Sequence, residues 1–193
     1  MNKETNPEKR RESRNNILTI SAALLFVLGA RTAVAEPRYI PSESMLPTLK
    51  VQDRVLVEKL SLRFNPPRRG EILVFDPPYR HMPHGPVEQL EAWQGFGDYT
   101  PLIKRVVGLP GETLEIRSGH VLIDGKVLDE SAYGTYPADY TFGPIKIPAD
   151  QLFMMGDNRG NSADSHIWGP LPLKNVRGRA VFRFWPPQAI GNL

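Results

Sequence analysis

Cysteine is absent from the chain, which has 193 residues. Disulfide bonds, catalytic thiols and cysteine-ligated zinc are therefore excluded. A glycine-rich phosphate-binding loop is also missing. The basic residues do not form the stripe, interleaved with aromatic residues, that is typical of nucleic-acid-binding proteins. The formal net charge of +3 thus gives no reason to expect a nucleic-acid partner.

The histidines are not spaced like the ligands of a zinc site. His81 and His84 belong to a loop-like stretch, His120 to a turn, and His166 to the sequence DSHIW. The stretch DNRGNSADSHIWG faintly resembles a calcium-binding loop, but Arg159 stands where the second ligand should be, and its charge would repel the ion. The sequence therefore predicts neither a metal site nor a cofactor.

Long apolar runs are scarce too: the chain has one, at residues 17–35, ILTISAALLFVLGARTAVA. Arg31 interrupts it, so the run reaches the length of about 20 residues that a bilayer requires only if this arginine extends to the interface. Basic residues precede the run, namely Lys9, Arg10, Arg11 and Arg14. By the positive-inside rule they predict cytoplasmic residues 1–16, a single transmembrane anchor at 17–35 and an exported domain at 36–193.

Two other interpretations of this run stay open on physical grounds. Ala33 and Ala35 have the small-x-small spacing of a signal-peptide cleavage site, so the run is also compatible with a cleavable signal peptide. A buried core helix is the third interpretation, but it gives the flanking positive charge no purpose. Both of the first two interpretations export the chain from Glu36 onward.

The rest of the chain indicates β structure. Proline and glycine are frequent, at 19 and 16 residues, and are spread along the sequence, which favours turn-rich β proteins. Alternating or short apolar runs predict strands within residues 53–60, 70–75, 102–109, 114–128, 151–158 and 177–185. Asp124-Gly125 predicts a hairpin turn, and irregular insertions are expected near 76–101 and 131–144. We therefore predict a mostly β domain built from antiparallel sheet, preceded by one transmembrane helix.

A short segment directly after the apolar run has an unusual composition. RYIPSESMLPTL, residues 38–49, holds Ser42 and Ser44 between Pro41 and Pro47. Proline fixes the backbone torsion φ, so this segment can present a serine hydroxyl rigidly. A rigidly held hydroxyl is what a serine nucleophile needs, provided that a base lies next to it.

The candidate base is a lysine inside an apolar strand. In TPLIKRVVGLPGE, Lys104 is followed at once by Arg105, and on an alternating strand these two side chains point to opposite faces. One of them is thus expected to face inward, unless the strand lies at a sheet edge, where a lysine discourages pairing. A buried lysine loses its proton readily. A neutral amine beside a serine can then act as the base of a Ser-Lys pair.

Four segments, taken in order, resemble the successive motifs of type I signal peptidases: PSESMLPTL, IKRVVGLPGETLEI, LIDGKVL and GDNRGNSADSHIWGPL. The resemblance covers nearly the whole chain from residue 17. It implies a membrane-bound serine endopeptidase that removes signal peptides from exported precursors, with a signal-peptidase-like β fold. It also implies that the apolar run is retained as a single-pass anchor in a plasma (inner) or thylakoid membrane.

The resemblance implies a role for each matching residue. Ser44 would be the nucleophile and Lys104 the general base. Ser42 would contribute its hydroxyl to an oxyanion hole together with the backbone N–H of Ser44, and Ser162 would bind and orient Lys104. The residues expected to support the site are Asp157, Arg159, Asp164 and His166.

One of these positions departs from the pattern of many bacterial members, which have arginine where this chain has His166. The pair of Asp164 and His166 would be weaker and dependent on pH. The forms DSHIWGPLP and AEPRYIPSESMLPTL are more like those of cyanobacterial and thylakoid enzymes.

A site for small-x-small sequences needs shallow apolar pockets, which exclude large side chains by steric clash. The residues predicted to form their walls are Ile40, Pro41, Met45, Leu49, Leu102 and Ile103. Two other functions remain as alternatives: a membrane-anchored β scaffold without activity, and a soluble Ser-Lys repressor peptidase that cleaves itself. The second would need a DNA-binding front end in place of the apolar run.

Overall fold

The computed structural model describes residues 15–21, 23, 34–78 and 101–193. Twelve strands form two antiparallel sheets in this part of the chain. The strands are β1 (Ala35–Tyr39), β2 (Arg54–Glu58), β3 (Ile72–Phe75), β4 (Leu102–Gly108), β5 (Thr113–Arg117), β6 (His120–Ile123), β7 (Lys126–Val127), β8 (Phe142–Lys146), β9 (Gln151–Met155), β10 (Leu171–Pro172), β11 (Val176–Trp185) and β12 (Gly191–Asn192). The prediction of a mostly β, antiparallel domain is confirmed.

The larger sheet has the order β1-β2-β11-β3-β4-β9-β10, and β12 pairs with β11. The smaller sheet has the order β7-β6-β5-β8. Short 3₁₀ turns and a single-turn helix, Ser165–Trp168, connect the strands. Because strands distant in sequence become neighbours, the serine segment after β1 comes to lie beside β4 and the end of β9.

The predictions for the N-terminal segment and for the first insertion concern residues that lie mainly outside the described part of the chain. Residues 15–21 and 23 are helical. Among the described residues, no helix is long and apolar enough to cross a membrane. Most of the predicted anchor at 17–35, nearly all of the basic segment before it and most of the predicted insertion near 76–101 lie outside the described part of the chain.

Each of the six predicted strand regions contains at least one strand. The hairpin turn at Asp124-Gly125 joins β6 to β7, and both of its residues have the positive φ that a tight hairpin requires, 49° and 77°. Four strands were missed, and two of them, β10 and β12, are only two residues long. Ala35 begins β1 rather than ending the apolar run, and Phe142 begins β8 inside the predicted insertion 131–144.

Strand β4 lies between β3 and β9, so it is not an edge strand. Val106 packs in one apolar cluster and Val107 in another, which means that both faces of β4 are covered. Lys104 and Arg105 are therefore both buried, each with 4% of its surface exposed. The prediction that one of the two faces inward holds for both, because alternation separates the faces of a strand but does not expose either of them in a sheet covered on both sides.

Candidate active site

Ser44 is positioned by a 3₁₀ turn, Glu43–Met45, in the connection between β1 and β2. Met45 and Leu49 are fully buried in the core beneath this turn. The backbone N–H of Leu49 donates to the carbonyl of Met45 at 2.8 Å. Apolar packing thus fixes the turn from below, while Ser44 keeps 8% of its surface exposed.

Asn158, which follows β9, holds the same turn from another side. Its backbone N–H donates to the carbonyl of Ser44 at 3.1 Å. Its side-chain amide donates to the carbonyl of Glu43 at 3.3 Å. Two segments far apart in sequence are therefore joined at the serine, although sequence reasoning gave Asn158 no role.

Lys104 reaches the serine from β4, and its Nζ is hydrogen-bonded to Oγ of Ser44. Burial lowers the pKa of Lys104 from 10.5 to about 8, although the negative charges of Asp164 and Asp157 act to raise it. Desolvation has the larger effect because it disfavours the charged ammonium. The amine is thus able to lose its proton in mildly alkaline solution while it contacts a hydroxyl.

Ser42 lies beside the pair. Oγ of Ser42 is 3.3 Å from Oγ of Ser44. Ser42 is exposed, and its backbone is extended, with φ −134° and ψ 164°. A hydroxyl in this place can donate a hydrogen bond to an oxygen bound next to Ser44. The predicted contribution of Ser42 to an oxyanion hole is compatible with this geometry and stays a prediction.

Gly156, after β9, allows the closest approach in the site. A Cβ at this position would lie 2.4 Å from the carbonyl oxygen of Ser44 and 2.3 Å from Oγ of Ser162. Ser162 is 8% exposed, and within the described part of the chain its Oγ has no hydrogen-bond partner. The predicted hydrogen bond between Ser162 and Lys104 is thus not formed in this structure, where Nζ of Lys104 contacts Ser44.

Arg105 and Asp157 form a buried ion pair. Nε of Arg105 donates to Oδ1 of Asp157 at 2.8 Å, and Nη2 donates to Oδ2 at 2.6 Å. Asp157 has no exposed surface. The guanidinium also donates to the carbonyl of Gly70 at 2.6 Å. Support of the site by Asp157 was predicted, but its partner Arg105 was not assigned this role.

Arg159 is a second buried arginine, 2% exposed. Its Nε donates to the carbonyl of Gly156 at 3.0 Å, and its terminal nitrogens donate to both carboxylate oxygens of Glu130, at 3.0 and 2.5 Å. Burial acts to lower the pKa of Arg159, but the hydrogen bonds and charge of Glu130 outweigh it and raise the pKa. An ordinary turn residue would lie at the surface, so the burial favours the predicted supporting role of Arg159.

Asp164 connects the turn after β9 to His166. One carboxylate oxygen accepts from the backbone N–H of Gly156 at 2.9 Å, and the other lies 2.7 Å from Nδ1 of His166. The imidazole stacks on Tyr140 with ring centroids 4.2 Å apart, and the phenol oxygen lies 3.1 Å from the same Nδ1. The predicted pair is thus formed, with a tyrosine as an additional partner.

The predicted pocket walls divide into two groups. Ile40, Met45 and Leu49 have at most 1% of their surface exposed and belong to one core cluster, so they offer a ligand almost no surface. We correct their assignment as walls: they support the serine turn from beneath. Pro41 is exposed, and Leu102 and Ile103 are partly buried at the start of β4, so the role of wall stays a prediction for these three.

The arrangement can perform nucleophilic acyl transfer. A hydroxyl and an amine that can lose its proton are in contact, and a second hydroxyl lies within 3.3 Å of the first. Among the described residues, no three His, Asp or Glu side chains converge as a metal site would require. The chemistry available here is that of a serine and a lysine.

The sequence matches the family described as signal peptidase, peptidase S26, over residues 13–185. Signal peptidase I of Leptolyngbya laminosa is 52% identical over 177 residues, which are 92% of this chain and 82% of that protein. Probable signal peptidase I-2 of Synechocystis is 44% identical over 195 residues, 99% and 84% of the two chains. Probable thylakoidal processing peptidase 2 of Arabidopsis thaliana is 40% identical over 174 residues, 90% of this chain and 43% of that protein.

These relatives confirm the predicted resemblance to type I signal peptidases of the cyanobacterial and thylakoid types. The matched residues include the turn that carries Ser44 and strand β4, which carries Lys104. The chain belongs to the signal peptidase family, peptidase S26.

Proposed function

We propose that the protein is a serine endopeptidase that cleaves signal peptides from exported precursors, with Ser44 as the nucleophile and Lys104 as the general base. The observation that carries this assignment is the contact of the buried Lys104 amine with the Ser44 hydroxyl. Membership of the signal peptidase family supports the same activity. A scaffold without activity is not favoured, since both positions of the pair are intact.

In the proposed reaction, Oγ of Ser44 transfers its proton to the neutral Nζ of Lys104 and attacks the scissile carbonyl carbon. Ser42 Oγ–H and the backbone N–H of Ser44 donate hydrogen bonds to the resulting oxyanion, and each such donor contributes about 3 kcal/mol. The C–N bond then breaks, and Lys104 returns the proton to the leaving amine. Water, deprotonated in turn by Lys104, hydrolyses the ester and frees Ser44.

Substrate choice in this proposal is steric. Small side chains fit beside the nucleophile, where Pro41, Leu102 and Ile103 would form the walls. Because Met45 and Leu49 lie fully buried beneath the turn, a large side chain could enter there only by displacing the core. Exclusion by clash of this kind favours small-x-small cleavage sites.

We further propose that the apolar run, from residue 17 up to the start of β1 at Ala35, anchors the enzyme in a plasma or thylakoid membrane, with residues 1–16 cytoplasmic and the β domain on the exported side. The basic residues before the run support this orientation. An anchor would also confine enzyme and precursor to one surface and raise their effective concentration. Amino-terminal sequencing of membrane-extracted protein tests the anchor. A chain that begins at Glu36 and is released by salt would refute it.

The activity is tested with the full-length protein in detergent and a precursor that has alanine at the two small positions. Ser44→Ala and Lys104→Ala are each expected to abolish cleavage, and the double variant should lose little more, because the two residues act as one unit. Ser131→Ala and Lys126→Ala, at exposed positions, are the matched controls and should cleave normally. Substantial cleavage by folded Lys104→Ala would rule out the pair.

A further inference from the structure

The connection between β7 and β8 lies against the site at several points. Residues 129–140, named here the bracing loop, contain two side chains that contact the buried arginines. Glu130 binds Arg159 through both carboxylate oxygens. The ring of Tyr133 covers the guanidinium of Arg105, whose Cζ lies 3.9 Å from the ring centroid. Arg105 and Arg159, the two arginines described above, thus each have a partner in this loop.

The two bracing side chains are also joined to each other. The phenol of Tyr133 donates to a carboxylate oxygen of Glu130 at 3.3 Å. Burial raises the pKa of Tyr133 to about 12, and the charge of Glu130 adds to this effect. The phenol therefore keeps its proton throughout the physiological range and remains a donor.

The backbone of the bracing loop is fixed against the same segment. Tyr136 N–H donates to the carbonyl of Asp157 at 2.9 Å, and Arg159 N–H donates to the carbonyl of Tyr136 at 3.4 Å. Gly134 lies so close to Pro47 that a Cβ would come within 2.9 Å of the proline ring. The loop is thus seated both on the segment after β9 and on the serine turn.

We propose that Tyr133 and Glu130 are positioning residues for the pair of Ser44 and Lys104, a role that rests on the proposed function. Tyr133 acts through Arg105, which holds Asp157. Glu130 acts through Arg159, whose Nε holds the carbonyl of Gly156.

Both series of contacts end at the backbone of residues 156–158, which supports Ser44. Gly156 touches the Ser44 carbonyl, and Asn158 donates to it. A cation over an aromatic face is stabilised by the ring and shielded from water. Without the ring of Tyr133, water can compete for Arg105, and the hold on Asp157 loosens. A small displacement of this segment moves Ser44 relative to Lys104, and catalysis is sensitive to displacements of about 1 Å.

The first test concerns the ring. Tyr133→Leu is expected to lower kcat by about tenfold or more with little change in KM, because the loss lies in alignment and not in substrate binding. Tyr133→Phe keeps the ring and should stay within about threefold of the wild type. Tyr136→Leu is the matched control in the same loop, because the hydrogen bonds of Tyr136 to this segment are made by its backbone, and it should stay within about twofold.

The second test concerns charge and does not depend on Tyr133→Leu being well folded. Glu130→Gln keeps the shape but removes a negative charge, which leaves Arg159 without a carboxylate. Arg159 holds Gly156, whose backbone N–H donates to Asp164, and the charge of Asp164 acts to raise the pKa of Lys104. A loosened Asp164 raises this pKa less, so the acid limb of the profile of kcat/KM against pH should move to lower pH by at least about 0.3 unit. Asp129→Asn removes the same charge from an exposed neighbour and should leave the limb unmoved. A change in folded fraction that is the same at every pH cannot move this limb.

The outcomes separate this inference from the proposed function. If the wild type cleaves the precursor and Ser44→Ala does not, the proposed function stands whatever the loop variants do. The inference is overturned if Tyr133→Leu is folded and fully active, or if Tyr133→Phe loses as much activity as Tyr133→Leu. It is also overturned if the acid limb of the pH profile lies at the same pH in Glu130→Gln and in Asp129→Asn. Rescue by phenylalanine together with a shift confined to Glu130→Gln supports it.

Discussion

Lys104 and Arg105 are neighbours on β4, are buried to the same extent and carry the same formal charge, yet their surroundings differ completely. Arg105 has both oxygens of Asp157, the carbonyl of Gly70 and the ring of Tyr133 as partners. Lys104 is hydrogen-bonded to the neutral hydroxyl of Ser44, and the nearby carboxylates act on it only through their charge.

The difference shows that burial alone does not make a basic residue reactive. A buried cation with a bidentate carboxylate partner keeps its charge and stabilises the fold only as long as the pair stays intact. A buried amine beside a neutral hydroxyl loses its proton and becomes a base. One strand thus carries a structural cation on one face and, on the other, an amine that can act as a base.

The largest effect is expected on the structural side of this comparison. Arg105→Leu leaves the carboxylate of Asp157 buried without its hydrogen-bonded arginine and should lower the free energy of unfolding by about 3–5 kcal/mol. Urea unfolding of the full-length protein measures this loss. Arg117→Leu is the matched control, since its side chain is 62% exposed and lies 3.6 Å from Glu115. It should change the free energy by less than about 1 kcal/mol.

A double variant tells which part of the loss is due to the unpaired charge. In Arg105→Leu with Asp157→Leu, no charge is left buried, so much of the stability should return. If the double variant is instead as unstable as the sum of the two single variants, the pair does not behave as a coupled unit. Arg105 would then not be the paired structural cation with which Lys104 is compared.

The second prediction concerns the reactive side. Because the working amine is neutral and the pKa of Lys104 is about 8, kcat/KM should rise with pH and level off above about pH 8. At two pH units below the pKa, roughly 1% of the amine is neutral, so activity should be about 100-fold lower there. The measurement is precursor cleavage between pH 6 and 10. Enzyme held at pH 6 and returned to pH 9 serves as the control for unfolding, and a flat profile would contradict a lysine base.

Much of this contrast could be predicted from the sequence. The pair of Ser44 and Lys104 followed from a serine between prolines, a lysine in an apolar strand and the order of four motifs, and the family that these motifs indicated is confirmed. The strands were found because their apolar residues alternate or cluster. These signals are local, and a single sequence contains them.

The features of the site that could not be predicted from the sequence depend on contacts between distant segments. Arg105 could not be assigned because its partners, Asp157 and Tyr133, come from other segments, and alternation says nothing about what covers each face. Glu130 and Tyr133 belong to a stretch that looks irregular in sequence. The sequence predicts Leu49 as a pocket wall because it is apolar and near Ser44, whereas its burial depends on residues of other strands that pack against it.

The smallest expected effect is a change in the free energy of unfolding, and its sign is opposite for the two neighbours. Losing Arg105 should destabilise the protein, whereas Lys104→Met should stabilise it at neutral pH while it abolishes cleavage. The pKa of Lys104 falls from 10.5 to about 8 on folding, so below pH 8 the folded protein carries a buried ammonium that the unfolded chain keeps in water. This difference corresponds to an upper bound of about 3 kcal/mol, and the loss of the hydrogen bond to Ser44 leaves a gain of about 1–2 kcal/mol.

The sign also predicts where the gain disappears. Between about pH 8 and 10.5 the unfolded chain still binds the proton that the folded protein has lost, so the stability contribution of Lys104 rises with pH in this window and is complete above it. The difference in unfolding free energy between Lys104→Met and the wild type, measured in urea from pH 6 to 10.5, should therefore fall as pH rises. Lys126→Met, on the exposed strand β7, should show no such slope. If Lys104→Met were less stable than the wild type at pH 7, the buried ammonium of Lys104 would be as well stabilised by its neighbours as the guanidinium of Arg105 is. The two faces of β4 would then not differ in how they stabilise a buried charge.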